Sequence, residues 1–436
     1  MGKGMKVKKA EDMPGRAMSL CIMAGITTIY FYSYMQRVAV PGTIFDELQA
    51  AFATSASAIT TLSVIFLVIY GGMQLVVGAF VDRVGVFMVL LTGGTVLCAG
   101  SFLFPMARTL SLLYAGRVLV ALGASLIFAS VVKSLDALFS ARLFPIVLGI
   151  SISIAYTGGL AGTLPFAVLS DRWGWRSTLV AVGVLTLIAF VITMLLLARV
   201  RILRQGNRYA AGFGSIRTIL SNRQSLVIML AGSTNFSVYF LFQATLGKKL
   251  LHDLYNLPSA TSALLPCIMM LVTISCSLLS GMLSRALGYR RKPVILFALG
   301  CMIIGGILLT YSVWHRLNYI WVLASYCLLG FTSLASVMNN TLMKELNPPE
   351  AMGTAIGLAN GNCYLVMAVY TSIAGYILDS FAGRATIIQG VVSYPREAYL
   401  AITGFCMVAL IFAFSAACFI KETHGIPTGS SSAPQP

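Results

Sequence analysis

Gly78-Ala-Phe-Val-Asp82-Arg83-Val-Gly85 follows directly on a long apolar run, and Gly281-Met-Leu-Ser-Arg285-Ala-Leu-Gly288 repeats its glycine spacing in the second half of the chain. Each octapeptide has glycine at both ends and a charge at its fifth position, Asp82 in one and Arg285 in the other. A chain of 436 residues that is 58% hydrophobic and only 10% charged has few charges to place, so their positions carry meaning. Soluble domains carry about 25% charged residues, and a mean hydropathy of +0.88 would leave a water-soluble fold with large bare apolar surfaces. The lipid bilayer is therefore the first partner the sequence implies.

A membrane-crossing helix needs about 20 mainly apolar residues. Twelve such segments can be placed, at 17–39, 58–81, 86–106, 109–134, 144–168, 176–198, 225–247, 260–284, 292–313, 318–343, 352–378 and 397–420. The longest polar interruption, residues 199–224, divides them into two sets of six. The expected fold is an all-α integral membrane protein of twelve transmembrane helices in two six-helix halves. It has an N-terminal tail over 1–16, a first bundle over 17–198, a basic linker over 199–224, a second bundle over 225–420 and a disordered tail over 421–436. Each glycine-flanked octapeptide then falls in the loop after the second helix of its half. The fragments 123–132 and 330–338 also correspond, each in the fourth helix of its half. A duplicated unit suits a transporter that rocks two halves about a central site.

The net charge of +17 would point to nucleic acid in a soluble protein. Here the basic residues lie between apolar segments, which excludes a nucleic-acid partner and invokes the positive-inside rule. Nineteen of the thirty lysines and arginines fall on the side of the N-terminus and the central linker, eight on the other side, and Arg37, Arg117 and Lys133 within or at the ends of helices. Both termini are thus expected in the cytoplasm, in a bacterial inner membrane. The basic N-terminus runs into the first spanning helix without a convincing cleavage site. Nine cysteines stand singly and the three histidines do not cluster with them, so no metal or cofactor is expected. No Ser/His/Asp set or carboxylate pair lies at common depth, which argues against an enzyme.

These residues carry a family resemblance. Gly78-x-x-x-Asp82-Arg83-x-Gly85 resembles the loop signature of the major facilitator superfamily, and Gly281-x-x-x-Arg285-x-x-Gly288-x-Arg290-Arg291-Lys292 its second copy. Arg117-Val-Leu-Val-Ala-Leu-Gly123-Ala124 is similar to the family's fourth-helix pattern, and Gly174-Trp175-Arg176 to its junction of fifth and sixth helices. Val86 and Phe87 stand where the family's loop continues with basic residues, and Arg285 where many members have Asp. The resemblance implies a secondary transporter working by alternating access, nearest in character to the organic-anion and solute symporter branches. Apart from the resemblance, glycines that allow close approach and a tight turn beside paired charges give an expected gating set of Gly78, Asp82, Arg83, Gly85, Asp136, Gly281, Arg285 and Gly288. Asp82 would meet the start of the eleventh helix, and Arg83 would pair with Asp136 or Glu345.

Charges inside a span are costly and often mark function. Arg117 lies about 8 residues into the fourth helix, roughly 12 Å deep at 1.5 Å per residue. It suits either an anionic substrate or a structural bond to neighbouring helices. In the first helix Tyr30, Tyr34 and Arg37 share one face with Thr27; Arg37 fits a pocket or an interfacial anchor. Asn235, Tyr239 and Gln243 form the polar stripe of the seventh helix. Asn360 and Tyr364 in the eleventh and Tyr156 in the fifth complete the substrate-binding set, with Asn339 and Asn340 in the tenth as further cavity candidates. Lys248 and Lys249 read as solvated surface lysines. Gly149, Gly158 and Gly162 read as packing glycines, because Thr163, Phe166 and Ala167 depart from the drug/proton antiporter pattern. No mid-membrane carboxylate is visible, so symport, antiport and facilitated diffusion stay open. The expected activity is movement of a small organic solute, an anion, carboxylate or amino acid, by a monomer. The alternatives are efflux of hydrophobic compounds and a transporter-like membrane sensor.

Overall fold

The computed structural model describes residues 14–74, 76–140, 143–200, 215–348, 352–388 and 391–424. Its helices are α1 (Arg16–Val38), α2 (Phe45–Phe52), α3 (Ala56–Gln74), α4 (Val77–Val84), α5 (Val86–Met106), α6 (Leu110–Leu138), α7 (Phe144–Ala161), α8 (Leu164–Trp173) and α9 (Trp175–Leu197). They continue with α10 (Ser215–Ser221), α11 (Arg223–Leu241), α12 (Gly247–Tyr255), α13 (Ser259–Ala286), α14 (Lys292–His315), α15 (Tyr319–Leu329), α16 (Thr332–Glu345), α17 (Met352–Ser380) and α18 (Arg396–Cys418). Among the described residues eleven helices are long and apolar enough to cross a membrane, and a bent pair makes a twelfth span. The expected all-helical, twelve-span fold is what the structure has.

The bent pair is α7 and α8, which meet at 42°. Pro165 in the first turn of α8 has no N–H to continue the ladder, so the fifth span breaks at Gly162–Thr163 instead of running straight. The tenth span likewise breaks between α15 and α16 at Gly330 and Phe331. Between α17 and α18 lies a two-stranded antiparallel hairpin, β1 (Thr386–Ile388) and β2 (Val391–Ser393), with Thr386 opposite Ser393. The sequence pattern gives no sign of strands there.

The chain forms two compact units. The first comprises residues 1–39 and 72–212, and the second 40–71 and 213–436. Within the first unit, α5 and α6 pack through glycines. A Cβ on Gly123 would overlap the backbone nitrogen of Leu97, and one on Gly100 would lie 2.6 Å from that of Val120. Such contact lets two backbones approach where no hydrophobic drive operates between helices in lipid. The outer face of α9 is apolar and bare, with Leu185, Ile188, Ile192 and Leu195 all exposed. Only 33% of that span is buried, an arrangement lipid accepts and water does not.

In the second unit a core of buried apolar residues, Ile228, Ile295, Leu299, Met338 and Leu342 among them, joins α11, α14 and α16. The Oγ of Ser325 on α15 donates to the carbonyl of Gly305 on α14 at 2.7 Å. The first residues of the expected disordered tail are tied down: Lys421 N–H donates to Gln224, and the carboxylate of Glu422 accepts from the N–H groups of Arg291 and Lys292. Residues 1–13, 201–214 and 425–436 lie outside the described ones.

Candidate functional site

The first octapeptide is a short helix, α4, rather than a loop. It closes at Gly85, whose φ of 91° is a conformation glycine adopts without a Cβ clash. Its second-half counterpart is also helical through Ala286, and the chain turns at Gly288 with φ 66°. Gly281 sits inside α13 with open space where a Cβ would be. Arg83, Asp136 and Arg285 are exposed, while the side chains at Gly78 and Asp82 fall outside the described ones.

Glu345 belongs to a polar cluster of the second unit. Its carboxylate pairs with Arg291 at 3.0 Å and accepts from the Thr423 hydroxyl. Arg291 also bonds Ser284, so the second signature builds a closed polar cluster at the α13–α14 turn. Glu422 belongs to that cluster; burial raises its carboxyl, but the N–H groups of Arg291 and Lys292 hold it below the ordinary value.

In the first unit, α1 presents an aromatic and cationic face. Tyr30 and Tyr34 meet edge to face at 6.3 Å, Tyr30 contacts Phe128 at 5.7 Å, and Tyr34 contacts Tyr156 at 5.3 Å. The guanidinium of Arg37 lies 4.9 Å from the Tyr34 ring centre, within cation–π range. Arg37 is 5% exposed, so it is covered by protein. Thr27 donates to the Ser151 hydroxyl at 3.0 Å and thereby ties α1 to α7.

Arg117, 2% exposed, reaches from α6 to the end of α1. It donates to the carbonyl of Gln36 at 3.2 Å and to that of Arg37 at 3.4 Å. Those carbonyls lie in the last turn of α1, beyond which the backbone leaves the helix at Val40. The guanidinium therefore adds a donor at the end of the helix, where the Gln36 carbonyl also accepts from Ala39 N–H. Gln36 reinforces the same joint, accepting from Ser101 at 2.9 Å.

The second unit divides the expected polar stripe of the seventh span. Asn235 is fully buried; it donates to Ala231 O at 3.1 Å and accepts from Thr332 at 2.8 Å, so it fastens α11 to α16. Gln243 is buried with its amide 3.4 Å from the Met270 sulfur. Tyr239 packs against Phe236 at 5.5 Å. Tyr364, half-buried on α17, contacts Tyr70 at 4.7 Å, which stacks on Phe66. Asn360 is half-buried on the same helix. Asn339 is 5% exposed, and neither end of its amide has a hydrogen-bond partner in the structure.

One cluster is not expected from the sequence. Lys248 and Lys249 are buried, at 6% and 1% exposure, which overturns their reading as solvated lysines. The Lys249 ammonium lies 2.5 Å from Asp46 and 2.8 Å from Asp253, and donates to the carbonyl of Val392. Asp253 also accepts from the Tyr399 hydroxyl at 2.6 Å and from Tyr394 N–H at 3.0 Å. His252 Nδ1 lies 3.2 Å from Asp46, Gln49 donates to the Tyr394 hydroxyl at 2.9 Å, and Lys248 bonds Thr43 O and Glu47. Burial raises the Asp46 carboxyl, yet the hydrogen bond with His252 and the Lys249 charge hold it below its ordinary value. Glu47 is lifted above the usual range, because burial outweighs Lys248.

Asp46, His252 and Asp253 offer ligand atoms within 4.8 Å of one another, a spacing that suits a metal. The Lys249 ammonium already supplies the positive charge between the two carboxylates, so the set is arranged as an ion-pair network.

Two repeated signatures, a glycine-laced α5–α6 pair and a dozen spans agree with a profile of the Major Facilitator Superfamily, which matches residues 23–371. The chain belongs to the Major Facilitator Superfamily. It is a membrane transporter of solutes and not an enzyme. No curated protein matches it. Solved structures share the superfamily fold at low identity. A bacterial homologue of the human lysosomal transporter Spinster, inward-facing and unoccupied, superposes with a TM-score of 0.71 at 14% identity, covering 93% of this chain and 98% of its own. A point mutant of the nucleoside transporter NupG gives 0.72 at 13%, covering 91% and 99%. The peptide transporter POT in complex with sulfate gives 0.73 at 13%, covering 97% and 99%. At such identity these likenesses concern the fold alone.

Proposed function

We propose that this superfamily member moves a small organic anion, a carboxylate or an amino acid, by rocker-switch alternating access as a monomer in a bacterial inner membrane, with both termini cytoplasmic. The observation that carries the reading is the Arg37 guanidinium against the Tyr34 ring, with Tyr30 and Tyr156 completing an aromatic wall. The described carboxylates of that unit, Asp136 and Asp171, are exposed, whereas Arg37 and Arg117 are buried. A cation flanked by aromatic surfaces and hydroxyls favours a carboxylate with an apolar body over a hydrophobic cation.

In this reading Arg37, Tyr30, Tyr34 and Tyr156 are the substrate-binding groups of the first unit, and Tyr239, Asn360, Tyr364 and Asn339 those of the second. Arg117 positions the end of α1, Asn235 holds α11 in place, and Gln243 ties the segment after α11 to α13. Asp82, Arg83 and Gly85 act as a latch on the cytoplasmic side, with the Arg291–Glu345 cluster as its second-half counterpart. The Lys249 network fastens residues 43–49, which follow α1, to α12 within the second unit.

Thermal-shift screening of purified protein against carboxylates, amino acids and sugars identifies a binder, whose flux is then measured in reconstituted vesicles. Arg37→Gln is expected to abolish binding of an acidic hit while the protein stays folded. Saturable binding without flux would make the protein a sensor, and preference for hydrophobic cations would reject the anion reading.

A further inference from the structure

We propose that the second unit carries a separate binding site for a small oxyanion, a carboxylate or phosphate, in the cavity framed by Arg316, Arg384 and Arg396. The cavity measures about 480 Å³ and draws its walls from the end of α12, the α14–α15 turn, the β1–β2 hairpin and the start of α18. That volume lies within the range of small-molecule pockets. All of its lining belongs to one compact unit, so the site stands whether or not the transport reading holds.

Charge gives the class of ligand. Three guanidiniums line the cavity, and the one carboxylate among its described lining residues, Asp253, is already engaged by Lys249 and Tyr399. The surplus is positive. Arg316 and Arg384 are exposed. Arg396 is half-buried; it donates from Nη1 to Trp314 O at 2.9 Å, and its Nη2 lies 3.7 Å from the exposed Glu397 carboxylate. Two lining donors remain unspent: Arg396 Nε and the Tyr255 hydroxyl are both withdrawn from water without a hydrogen-bond partner. An unmet buried donor is costly and favours an acceptor.

Backbone features point the same way. Helix α18 begins at the cavity with no side-chain cap, so the positive end of its dipole lies there, offset in part by Glu397 in the first turn. Arg316 closes α14 in the left-handed region at φ 52°, where glycine is the easy choice. An arginine there accepts local strain while lining the cavity. Arginine in this number suits forked, two-point recognition of carboxylate or phosphate oxygens.

Two sources share this chemistry, a soluble organic acid and the phosphate of a lipid headgroup. The test is calorimetric titration of citrate and of inorganic phosphate into delipidated full-length protein, repeated in nanodiscs with and without phosphatidylglycerol. Wild type is expected to bind one of the two saturably, and the double variant Arg316→Gln/Arg384→Gln to bind it about tenfold or more weakly, as loss of charge-assisted bonds implies. Arg108→Gln, a like charge in the other unit, is expected to bind as wild type does. Competition by phosphatidylglycerol assigns the site to a lipid headgroup, and absence of competition assigns it to a soluble acid. The proposal is overturned if wild type binds neither probe, if the double variant binds as wild type does, or if Arg37→Gln alone removes binding. Circular dichroism and gel filtration of each variant establish that it is folded.

Discussion

Arg117 on α6 donates to the backbone carbonyls of Gln36 and Arg37, the last turn of α1. A charge buried at membrane depth is therefore spent, at least in part, on holding a helix end. That separates two arginines which the sequence treats alike: Arg117 braces the joint, and Arg37 presents its guanidinium to the aromatic wall.

The first prediction follows from this division. Arg117→Ala removes two charge-assisted bonds to the end of α1, at about 1.5–3 kcal/mol each, and leaves a cavity besides. Its thermal midpoint in detergent should fall clearly, and Arg117→Lys should recover only part of the loss, because an ammonium cannot span two acceptors as a fork does. Arg37→Ala should keep the midpoint near wild type and lose the ligand instead. Equal midpoints for Arg117→Ala and wild type would remove the bracing role.

A second prediction concerns Lys249. Removing one partner of a buried ion pair costs about 3–5 kcal/mol, because the other charge is left uncompensated. Lys249→Met strands Asp46 and Asp253 together and should be the most destabilising single change in that network. Asp253→Asn should cost less, since Asp46 still neutralises the ammonium and the Asn can still accept from Tyr399 and Tyr394. Denaturant unfolding in micelles orders the two variants. The opposite order would mean that the carboxylate, not the ammonium, organises the cluster.

Much of this architecture is legible in the sequence, for a physical reason. Lipid demands runs of about 20 apolar residues, so span number survives even where Pro165 or Gly330 breaks a helix. Arg117 stands out as a buried charge, but its partners are backbone carbonyls, which every residue has and no pattern marks. The Lys249 network is hidden differently. Asp46 and Gln49 lie far along the chain from Lys249, and each set alone looks like ordinary polar residues at the end of an apolar run. The local clue is the i, i+4 pair of Lys249 and Asp253, which makes a helix of what reads as a loop. Asn235 misleads for the reverse reason: polar spacing marks a face, yet Thr332 and Ala231 already take up that amide.

The third prediction is one of pH. Glu47 has its carboxyl raised in the folded protein, chiefly by burial. Such an acid destabilises the fold above its folded value and does so no longer once pH falls below its unfolded value of about 4.3. Glu47→Gln should therefore be slightly more stable than wild type at neutral pH, by less than about 1 kcal/mol because the pair with Lys248 is partly solvated. The two midpoints should converge near pH ~4. Asp46 has the opposite sign. Its depressed value adds stability above the unfolded value of about 3.9, lost as pH falls through the folded one, so Asp46→Asn should lie below wild type at neutral pH and approach it only in strong acid.

The last prediction pairs two glycines of α7 that the sequence does not distinguish. A Cβ on Gly158 would overlap the carbonyl oxygen of Phe31, a backbone atom that cannot swing aside. Helix α1, with Tyr30 and Tyr34 on it, would have to move away from α7. Overpacking of this kind costs about 1–3 kcal/mol, and it would also draw Tyr34 from Tyr156, now 5.3 Å apart. Gly149 meets nothing within 4 Å, so a methyl group there is accommodated. Gly158→Ala should thus lower the thermal midpoint and weaken ligand binding together, whereas Gly149→Ala should change neither. If both variants behave as wild type, α1 and α7 are not held at backbone contact, and the aromatic wall loses the support that fixes its spacing.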